Sequence, residues 1–271
     1  AFSPNTLASR IYEYNTSSDT WAVTTGNFVA GKGIMFRAPN LFDDGYYPNA
    51  YTYTGEFIGT PHNGDITVNF TATDGTYQGV GNPYPSNMDV EEFWMNNAGT
   101  GTLYFWTNTN AWDSTLNAGN GDYVANNWAT YSDLGGIPAA NSTKEPESSV
   151  PVGQGFVVEA TGLNSVSFNN DMRTAQSGVF FRTAVQDKHR LWLNLSDSSN
   201  EMNNLLIGYM DGATQGEDLR IDSKMFNYEG SALYSLIDGS QSAYVIQGRS
   251  LPFDDFDVVP LGFRATTSSS F

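Results

Sequence analysis

Short runs of alternating apolar and polar residues, separated by Gly, Asn, Asp and Pro, recur along the chain and constrain its fold class. Residues 65–71 alternate and are followed by Asp74-Gly75, and residues 191–195 alternate before a cluster of turn residues. Such runs predict half-buried antiparallel strands. Only the segment that starts at Ser86 places apolar residues at helical spacing, behind a plausible N-cap, so we predict a short helix near 88–96. The pattern predicts an all-β fold of antiparallel, jelly-roll-like β-sandwich units with one short helix.

A glycine turn that leads into an apolar strand is repeated in the sequence. Residues 29–38 resemble residues 152–160, and a weaker copy at 259–265 lacks one of the two glycines. Glycine suits a tight turn, and an apolar run suits a strand that is buried on both faces. The wide spacing of the copies favours repeated sandwich units over a short-period solenoid. We therefore predict a β-sandwich domain with the helix over 1–168 and a second unit over 169–271, with one continuous domain as the alternative.

The charge balance is strongly acidic, with 29 Asp and Glu against 12 Lys and Arg and a net charge of -17. A surface this negative repels phosphate backbones, so we expect no nucleic-acid partner. No apolar run approaches the ~18 residues of a membrane span, so we expect no membrane insertion. The absence of cysteine excludes disulfides and thiolate chemistry. The chain opens at Ala1 and stops at Phe271, and we expect both ends to be cuts in a longer polypeptide.

Residues that could form a catalytic site are few and scattered. The two histidines, His62 and His189, are far apart, and no Gly-x-Ser-x-Gly nucleophile turn occurs. Paired carboxylates hydrolyse glycosides, and Glu91-Glu92 and the pair Asp254 and Asp257 are candidates by residue type. Adjacent glutamates on a short helix point in different directions, however, and a turn accounts for the aspartates. We expect that the chain is not an enzyme.

Calcium is the more plausible ligand for the acidic loops, since it takes six to eight oxygen ligands that loops usually supply. The largest cluster, within twelve residues, consists of Asp211, Glu217, Asp218 and Asp222. Only Arg220 lies there to offset these charges. Shorter clusters occur at Asp43-Asp44 and at 254–257, and none has the spacing of an EF-hand. The alternative is that these aspartates cap turns.

Aromatic residues that alternate with asparagines suggest a second kind of site. The four candidates are Trp106, Trp112, Trp128 and Tyr131. Exposed rings stack on sugars, so these residues could form a glycan-binding face. Such a face needs two exposed, coplanar rings. The alternative is that the rings pack in the core.

Five sequence blocks, taken in order, resemble a known family. They are Gly81–Ser86, Leu103–Thr107, Val152–Phe156, Leu206–Thr214 and Ile246–Phe253. Together they resemble the segment that precedes the C-terminal sorting domain in large, adhesin-like type IX secretion substrates of Bacteroidota. The resemblance covers nearly the whole chain. It implies export by the type IX machinery, through a C-terminal signal that is not in this sequence, and a place outside the cell or on its surface.

The resemblance also implies a function, because no catalytic residues belong to this segment in the family. It predicts a non-catalytic structural or adhesive segment of a large secreted or cell-surface protein. Surface glycans or other cell-surface proteins are the expected partners. The alternative is a glycan-binding module of a secreted polysaccharide-processing protein.

Overall fold

The structure of the chain is a computed structural model. It describes residues 8–18, 20–36, 59–71, 77–107, 112–113, 122–123, 128–140, 142–159, 162–175, 189–196, 201–226, 228 and 230–265. The Asp43-Asp44 cluster lies outside the described residues.

Strands account for most of the regular structure, which confirms the prediction of an all-β fold. The first strands are β1 (Ile11–Asn15), β2 (Thr20–Val23), β3 (Ile34–Phe36), β4 (Ile66–Asn69), β5 (Tyr77–Gly81), β6 (Asn87–Asp89), β7 (Leu103–Trp106), β8 (Trp112–Asp113), β9 (Asp122–Tyr123), β10 (Trp128–Ser132) and β11 (Gly135–Ile137). They are followed by β12 (Ser149–Val150), β13 (Gly155–Glu159), β14 (Ser165–Phe168), β15 (Arg173–Thr174), β16 (His189–Ser196), β17 (Glu201–Met210), β18 (Ser223–Lys224), β19 (Ala232–Ser235), β20 (Tyr244–Ser250) and β21 (Leu261–Arg264). In the described part of the chain, short 3-10 helices lie at Ala8–Arg10 and Asn170–Met172.

The predicted short helix is confirmed as α1 (Val90–Asn96), the one α-helix in the described part of the chain. It begins after Asp89, whose carboxylate accepts hydrogen bonds from the backbone N–H groups of Glu91 (2.8 Å) and Glu92 (3.2 Å). These donors have no partner within the helix, so the cap fixes where it starts. Its buried face consists of Val90, Phe93 and Trp94.

The chain forms two compact units, and each is built from two stretches of sequence. Unit 1 comprises Ala1–Gly99 and Ser149–Ser177, and unit 2 comprises Thr100–Ser148 and Gly178–Phe271. These units differ from a division at 168/169, because Leu134 and Ile137 pack in the core of unit 2 with Leu206 and Ile246, and because β15 pairs with β6 in unit 1. Local alternation along the sequence does not reveal such long-range pairing.

Unit 1 is built from small antiparallel sheets. Their strand orders are β2-β1-β3, β12-β6-β15 and β14-β4, and β5 pairs with β13. Inside the unit, the Phe93 ring of the helix packs edge-on against Phe156, at 5.4 Å between ring centroids, and at a tilt of 37° against Phe168, at 5.7 Å. The helix therefore closes the core over strands β13 and β14.

Unit 2 contains an antiparallel set, β7-β10-β11, and a larger sheet in the order β16-β17-β20-β19-β21, with β18 also paired to β20. Within the larger sheet, β17 and β20 are parallel, in register at Leu206 and Ile246. This pair is an exception to the antiparallel prediction. The sandwich-like core of the unit consists of Leu134, Ile137, Leu206, Met210, Ala213, Ile221, Val245 and Ile246.

The repeated glycine-turn strands differ in burial. Strand β13 is buried from Phe156 to Glu159, as predicted. The prediction is wrong for β3, where Phe36 is 41% exposed, and for β21, the terminal strand in the order of its sheet, where Leu261 is 47% and Phe263 is 50% exposed. A strand is buried on both faces only where other parts of the protein cover both faces of its sheet. The repeated sequence pattern alone does not specify this cover.

Candidate functional site

The two best copies of the glycine turn meet at a cleft in unit 1 of about 460 Å³, which we call the glycine-turn cleft. Its lining consists of residues 28–34, Phe36, 59–62, 81–85 and 152–155. Sequence analysis identified both turns and the 81–86 block separately, but it did not predict that they converge. The only sequence signal for this site was the repeat itself, which marks the starts of equivalent strands but does not predict that these starts lie close together.

Close backbone packing holds the first turn of the cleft in place. Gly33 donates to the carbonyl of Gly79 at 3.1 Å, and Gly81 donates to the carbonyl of Gly31 at 2.9 Å. A Cβ atom at Gly33 would lie 2.6 Å from the backbone oxygen of Val80, so no larger residue fits without a backbone shift. Gly31 has a φ of 81°, in the region that favours glycine. The sequence therefore needs its glycines here to bring the two strands together.

The second wall of the cleft is fixed by side-chain hydrogen bonds to the backbone. The Asn82 amide nitrogen donates to the carbonyls of Ser86 (2.8 Å) and Val150 (3.1 Å). The Tyr84 hydroxyl donates to the carbonyl of Gly64 at 2.8 Å, and burial raises the pKa of Tyr84 above its ordinary value. These polar groups are used within unit 1, where they shape the cleft.

The rim of the cleft is apolar and accessible to solvent. Val29 is 51% and Val152 is 57% exposed, one on each glycine turn. Among the described residues that line the cleft there is no Asp or Glu, and the basic ones are Lys32 and His62. In a chain with a net charge of -17, this is a local departure from the acidic surface.

The acidic loop in unit 2, residues 211–222, is organised by hydrogen bonds from its own backbone. Asp218 accepts from the N–H of Thr214 (2.6 Å) and from its hydroxyl (3.1 Å). Asp222 accepts from the N–H of Asp218 at 2.6 Å and from that of Gly248 in β20 at 2.7 Å. Asp211 lies in the turn that follows β17. This arrangement matches the turn-capping alternative, in which the carboxylates serve backbone donors.

Two carboxylates of this loop have pKa values that depart from their ordinary values in opposite directions. Burial raises the pKa of Asp222 to about 7, against hydrogen bonds from Asp218 and Gly248 that lower it. Burial also raises the pKa of Glu217, but hydrogen bonds from Lys224 (2.7 Å) and Tyr244 (2.6 Å) outweigh it and leave that pKa below its ordinary value.

Among the described residues no group of three or more acidic or histidine side chains is placed to hold a metal ion. Arg220, the cation nearest in sequence to these acids, pairs with Asp133 at 3.4 Å. Calcium at Asp211, Glu217, Asp218 and Asp222 stays a prediction.

Asp254 and Asp257 have different environments, since Asp257 belongs to a largely buried clamp in unit 2 and Asp254 lies in an exposed turn. Arg249, 7% exposed, donates from Nε to Asp257 at 2.9 Å and again from Nη2, and the Tyr209 hydroxyl donates to the same carboxylate at 3.0 Å. The hydrogen bonds from Arg249 keep the pKa of Asp257 below its ordinary value. Asp254 accepts from the N–H of Phe256 at 2.9 Å. Each of these two carboxylates therefore has a structural partner.

The four aromatic glycan candidates occupy different environments. The Trp106 and Trp128 rings meet at 5.4 Å and 73°, and Trp128 also packs edge-on against Phe226 at 4.8 Å. These two rings do not form the coplanar pair that a sugar platform requires. Trp106 is 37% exposed, whereas Tyr131 is 6% exposed and offers no open ring face. The side chain of Trp112 lies outside the described residues.

The histidines lie in different units. His62 is exposed at the glycine-turn cleft, and His189 is exposed at the start of β16.

Fold and cleft together define an all-β module of two units in which charged side chains hold loops and strands, while an apolar cleft lies open. A family profile described as a domain of unknown function, DUF8693, matches residues 1–271, and the chain belongs to that family. No curated protein and no solved structure matches the chain. In the described part of the chain no helix is both long enough and apolar enough to cross a membrane.

Proposed function

We propose that this chain is a non-catalytic structural or adhesive segment of a large secreted or cell-surface protein, exported by the type IX machinery. The ordered resemblance of the five sequence blocks supports the route of export. Four of the blocks also supply the frame of the two units: Gly81–Ser86 and Val152–Phe156 line or adjoin the cleft, and Leu206–Thr214 and Ile246–Phe253 contain most of the parallel pair β17–β20. Extracellular partners are cell-surface proteins or surface glycans.

One observation carries the non-catalytic part of the proposal. Three of the candidate carboxylates, those of Asp218, Asp222 and Asp257, are each engaged by two or more hydrogen bonds within unit 2. A carboxylate that serves chemistry must instead face a substrate in a cleft. The cleft in unit 1 has no Asp or Glu among the lining residues that the structure describes. The proposal therefore assigns structural roles to these three carboxylates and assigns contact with a partner to the exposed apolar rim of the cleft.

Glycan binding is the second candidate function. The partial exposure of Trp106 favours it, whereas the angle between the Trp106 and Trp128 rings does not. A glycan array with wild type, Trp106→Ala and Trp112→Ala separates the two functions. We expect no glycan signal that either substitution abolishes. A specific signal that disappears with one of these tryptophans would make the chain a glycan-binding module.

The export part of the proposal has a cellular test. The full-length parent protein, with an epitope tag placed in this segment, is produced in cells with and without a working type IX machinery. We expect protease added outside intact cells to digest the tag only where the machinery works. A tag that is protected in both strains, or digested in both, would contradict the proposed route.

A further inference from the structure

We propose that Asn63 is a modification site, whose side-chain amide is lost spontaneously through a succinimide formed with Gly64, and that the Asn170 side chain restrains this reaction in the folded chain. The inference rests on one turn of unit 1, residues 59–64, and is independent of the proposed function. Asn63 is exposed there, and glycine follows it. Gly64 has a φ of 83°, in the region that favours glycine.

The reaction needs no enzyme and no reactant besides water. The backbone nitrogen of Gly64 gives up its proton and forms a bond to Cγ of Asn63. The bond from Cγ to Nδ2 breaks, and ammonia leaves with that proton. Water then opens the five-membered ring at either carbonyl, which leaves aspartate or isoaspartate at position 63. Glycine favours ring closure, because it has no Cβ atom to hinder the approach of its nitrogen.

The carbonyl that the nitrogen attacks is already positioned. Arg173 donates from Nη1 to Oδ1 of Asn63 at 3.0 Å. Arg173 is itself held by Ser86, since its Nε donates to that hydroxyl at 3.2 Å, and its guanidinium lies 5.7 Å from the centroid of the Tyr84 ring. Negative charge develops on Oδ1 when the nitrogen attacks Cγ, and a cationic donor at this distance stabilises that charge.

The attacking nitrogen, in contrast, is restrained. The N–H of Gly64 donates to Oδ1 of Asn170 at 3.0 Å, and the carbonyl of Gly64 accepts from the Tyr84 hydroxyl at 2.8 Å. These hydrogen bonds hold Gly64 on both sides of its Cα atom. The bond to Asn170 must break before the nitrogen can turn toward Cγ of Asn63. The net free energy of one such hydrogen bond corresponds to a change in rate of about two- to tenfold.

The modification would change the contacts of this turn. Both products place a carboxylate at position 63, beside the guanidinium of Arg173. Isoaspartate also carries the backbone through the former side chain, which adds one methylene group before Gly64. Gly64 would then shift against Asn170 and Tyr84, the two residues that bind it to the rest of unit 1.

Peptide mapping of the purified, folded protein tests the proposal. Wild type, Asn170→Ala and Asn170→Asp are incubated at pH 8 and 37 °C for several weeks, and the chymotryptic peptide 58–70 is analysed by mass spectrometry. Asn170→Ala should deamidate at Asn63 about two- to tenfold faster than wild type. Asn170→Asp keeps an acceptor for the N–H of Gly64, so its rate should not exceed that of wild type. A synthetic peptide of the same sequence should react fastest.

Two controls show that the effect is local. Asn69 lies in the same peptide and is exposed, but Phe70 follows it, so it should stay unmodified. Asn96→Ala changes an exposed asparagine of unit 1 that bonds to Asn169, and it should deamidate at Asn63 within about twofold of wild type. An unchanged circular dichroism spectrum checks that each variant is folded.

Four results would overturn the proposal. They are no deamidation at Asn63 in Asn170→Ala, an equal rate in Asn170→Ala and wild type, an equal acceleration in Asn96→Ala, and a rate in folded wild type as high as in the synthetic peptide. The last result does not depend on any variant. None of the four bears on export or adhesion, so the two proposals fail separately.

Discussion

Two regions of the molecule can be compared, the glycine-turn cleft of unit 1 and the acidic loop with its neighbouring clamp in unit 2. In both regions polar groups form hydrogen bonds within the protein, but the surfaces of the two regions differ. In the cleft, amides and backbone N–H groups bond to carbonyls, and the exposed rim is apolar at Val29 and Val152. In unit 2, the carboxylates of Asp218, Asp222 and Asp257 receive backbone N–H groups or an arginine. The carboxylates of Asp218, Asp222 and Asp257 thus hold loops and strands of unit 2, whereas the cleft of unit 1 presents an apolar rim.

The contrast extends to the ion pairs of the two units. Arg249 and Asp257 in unit 2 have side chains only 9% and 11% exposed. Lys32 and Glu13 in unit 1 lie 3.4 Å apart with side chains 34% and 23% exposed. Breaking a buried pair leaves an uncompensated charge, whereas water screens a pair nearer the surface. The two pairs should therefore respond very differently to the same substitution.

The largest predicted effect follows from this difference. Arg249→Met should lower the free energy of unfolding by about 3–5 kcal/mol, because Asp257 keeps only the Tyr209 hydroxyl as a side-chain partner. Lys32→Met is the matched control and should cost less than about 1 kcal/mol. Urea unfolding measures both changes. Equal losses of unfolding free energy in the two variants would contradict the prediction that the buried ion pair contributes more to stability than the pair nearer the surface.

The second prediction concerns the pH dependence of stability. The folded pKa of Asp222, about 7, lies above its ordinary value of 3.8, so its contribution to stability is fully present below pH ~4 and is lost as pH rises through 7. The whole change amounts to a few kcal/mol, on the order of 3–4. The quantity to compare is the change in unfolding free energy between two pH values. From pH 4 to pH 8, wild type should lose more stability than Asp222→Asn.

The variant controls for the other titrating groups, whose contributions it shares with wild type. The Asp222→Asn substitution would also remove one backbone hydrogen bond, which lowers the stability of the variant at every pH and leaves the slope unaffected. Urea unfolding at several pH values gives the two slopes. Parallel slopes would mean that Asp222 is ionised in the folded chain at an ordinary pKa.

A third prediction compares two glycines of the cleft. Gly33→Ala should cost about 1–3 kcal/mol, because the new Cβ would lie 2.6–2.7 Å from backbone atoms of Val80. Gly153 has a φ of 74° and no atom within 4 Å of an added Cβ. Gly153→Ala should therefore cost only about 1 kcal/mol, from the left-handed backbone alone. A larger loss of stability for Gly153→Ala than for Gly33→Ala would contradict the close approach of Gly33 to the backbone of Val80.

The smallest expected effect is that of calcium on the acidic loop. The hydrogen bonds to Asp218 and Asp222 order the loop without a cation, so the thermal midpoint in EDTA should change by less than about 1 °C when millimolar calcium is added. A midpoint that rises by several degrees would instead support the predicted site, since a ligand that binds only the folded state stabilises it. Loss of that rise in a variant that combines Asp218→Asn with Asp222→Asn would place the ion at this loop.

Local patterns in the sequence were enough to predict the local structure. The helix was predicted near 88–96 and forms at Val90–Asn96, because a capping aspartate followed by apolar residues at helical spacing is a local signal. Alternation likewise predicted β4 and β16. The glycine turns were predicted because glycine suits the backbone conformation of a tight turn.

Long-range features were not accessible in this way. The return of β12 and β13 to unit 1 and the parallel pairing of β17 with β20 depend on strands far apart in the sequence. The burial of Asp222, which raises its pKa, depends on the neighbouring strand β20. Spacing alone grouped Asp222 with Asp218 and Glu217 as a calcium cluster, although its closest contacts are backbone N–H groups.

The central claim, that carboxylates in this chain support structure rather than chemistry, is tested most directly by a search for turnover. Purified wild-type protein is incubated with a panel of polysaccharides and peptides, and products are followed by mass spectrometry. We predict no product above the protein-free control. Product that forms with wild type and disappears in a folded variant with one substitution, Asp218→Asn, Asp222→Asn or Asp257→Asn, would contradict the claim.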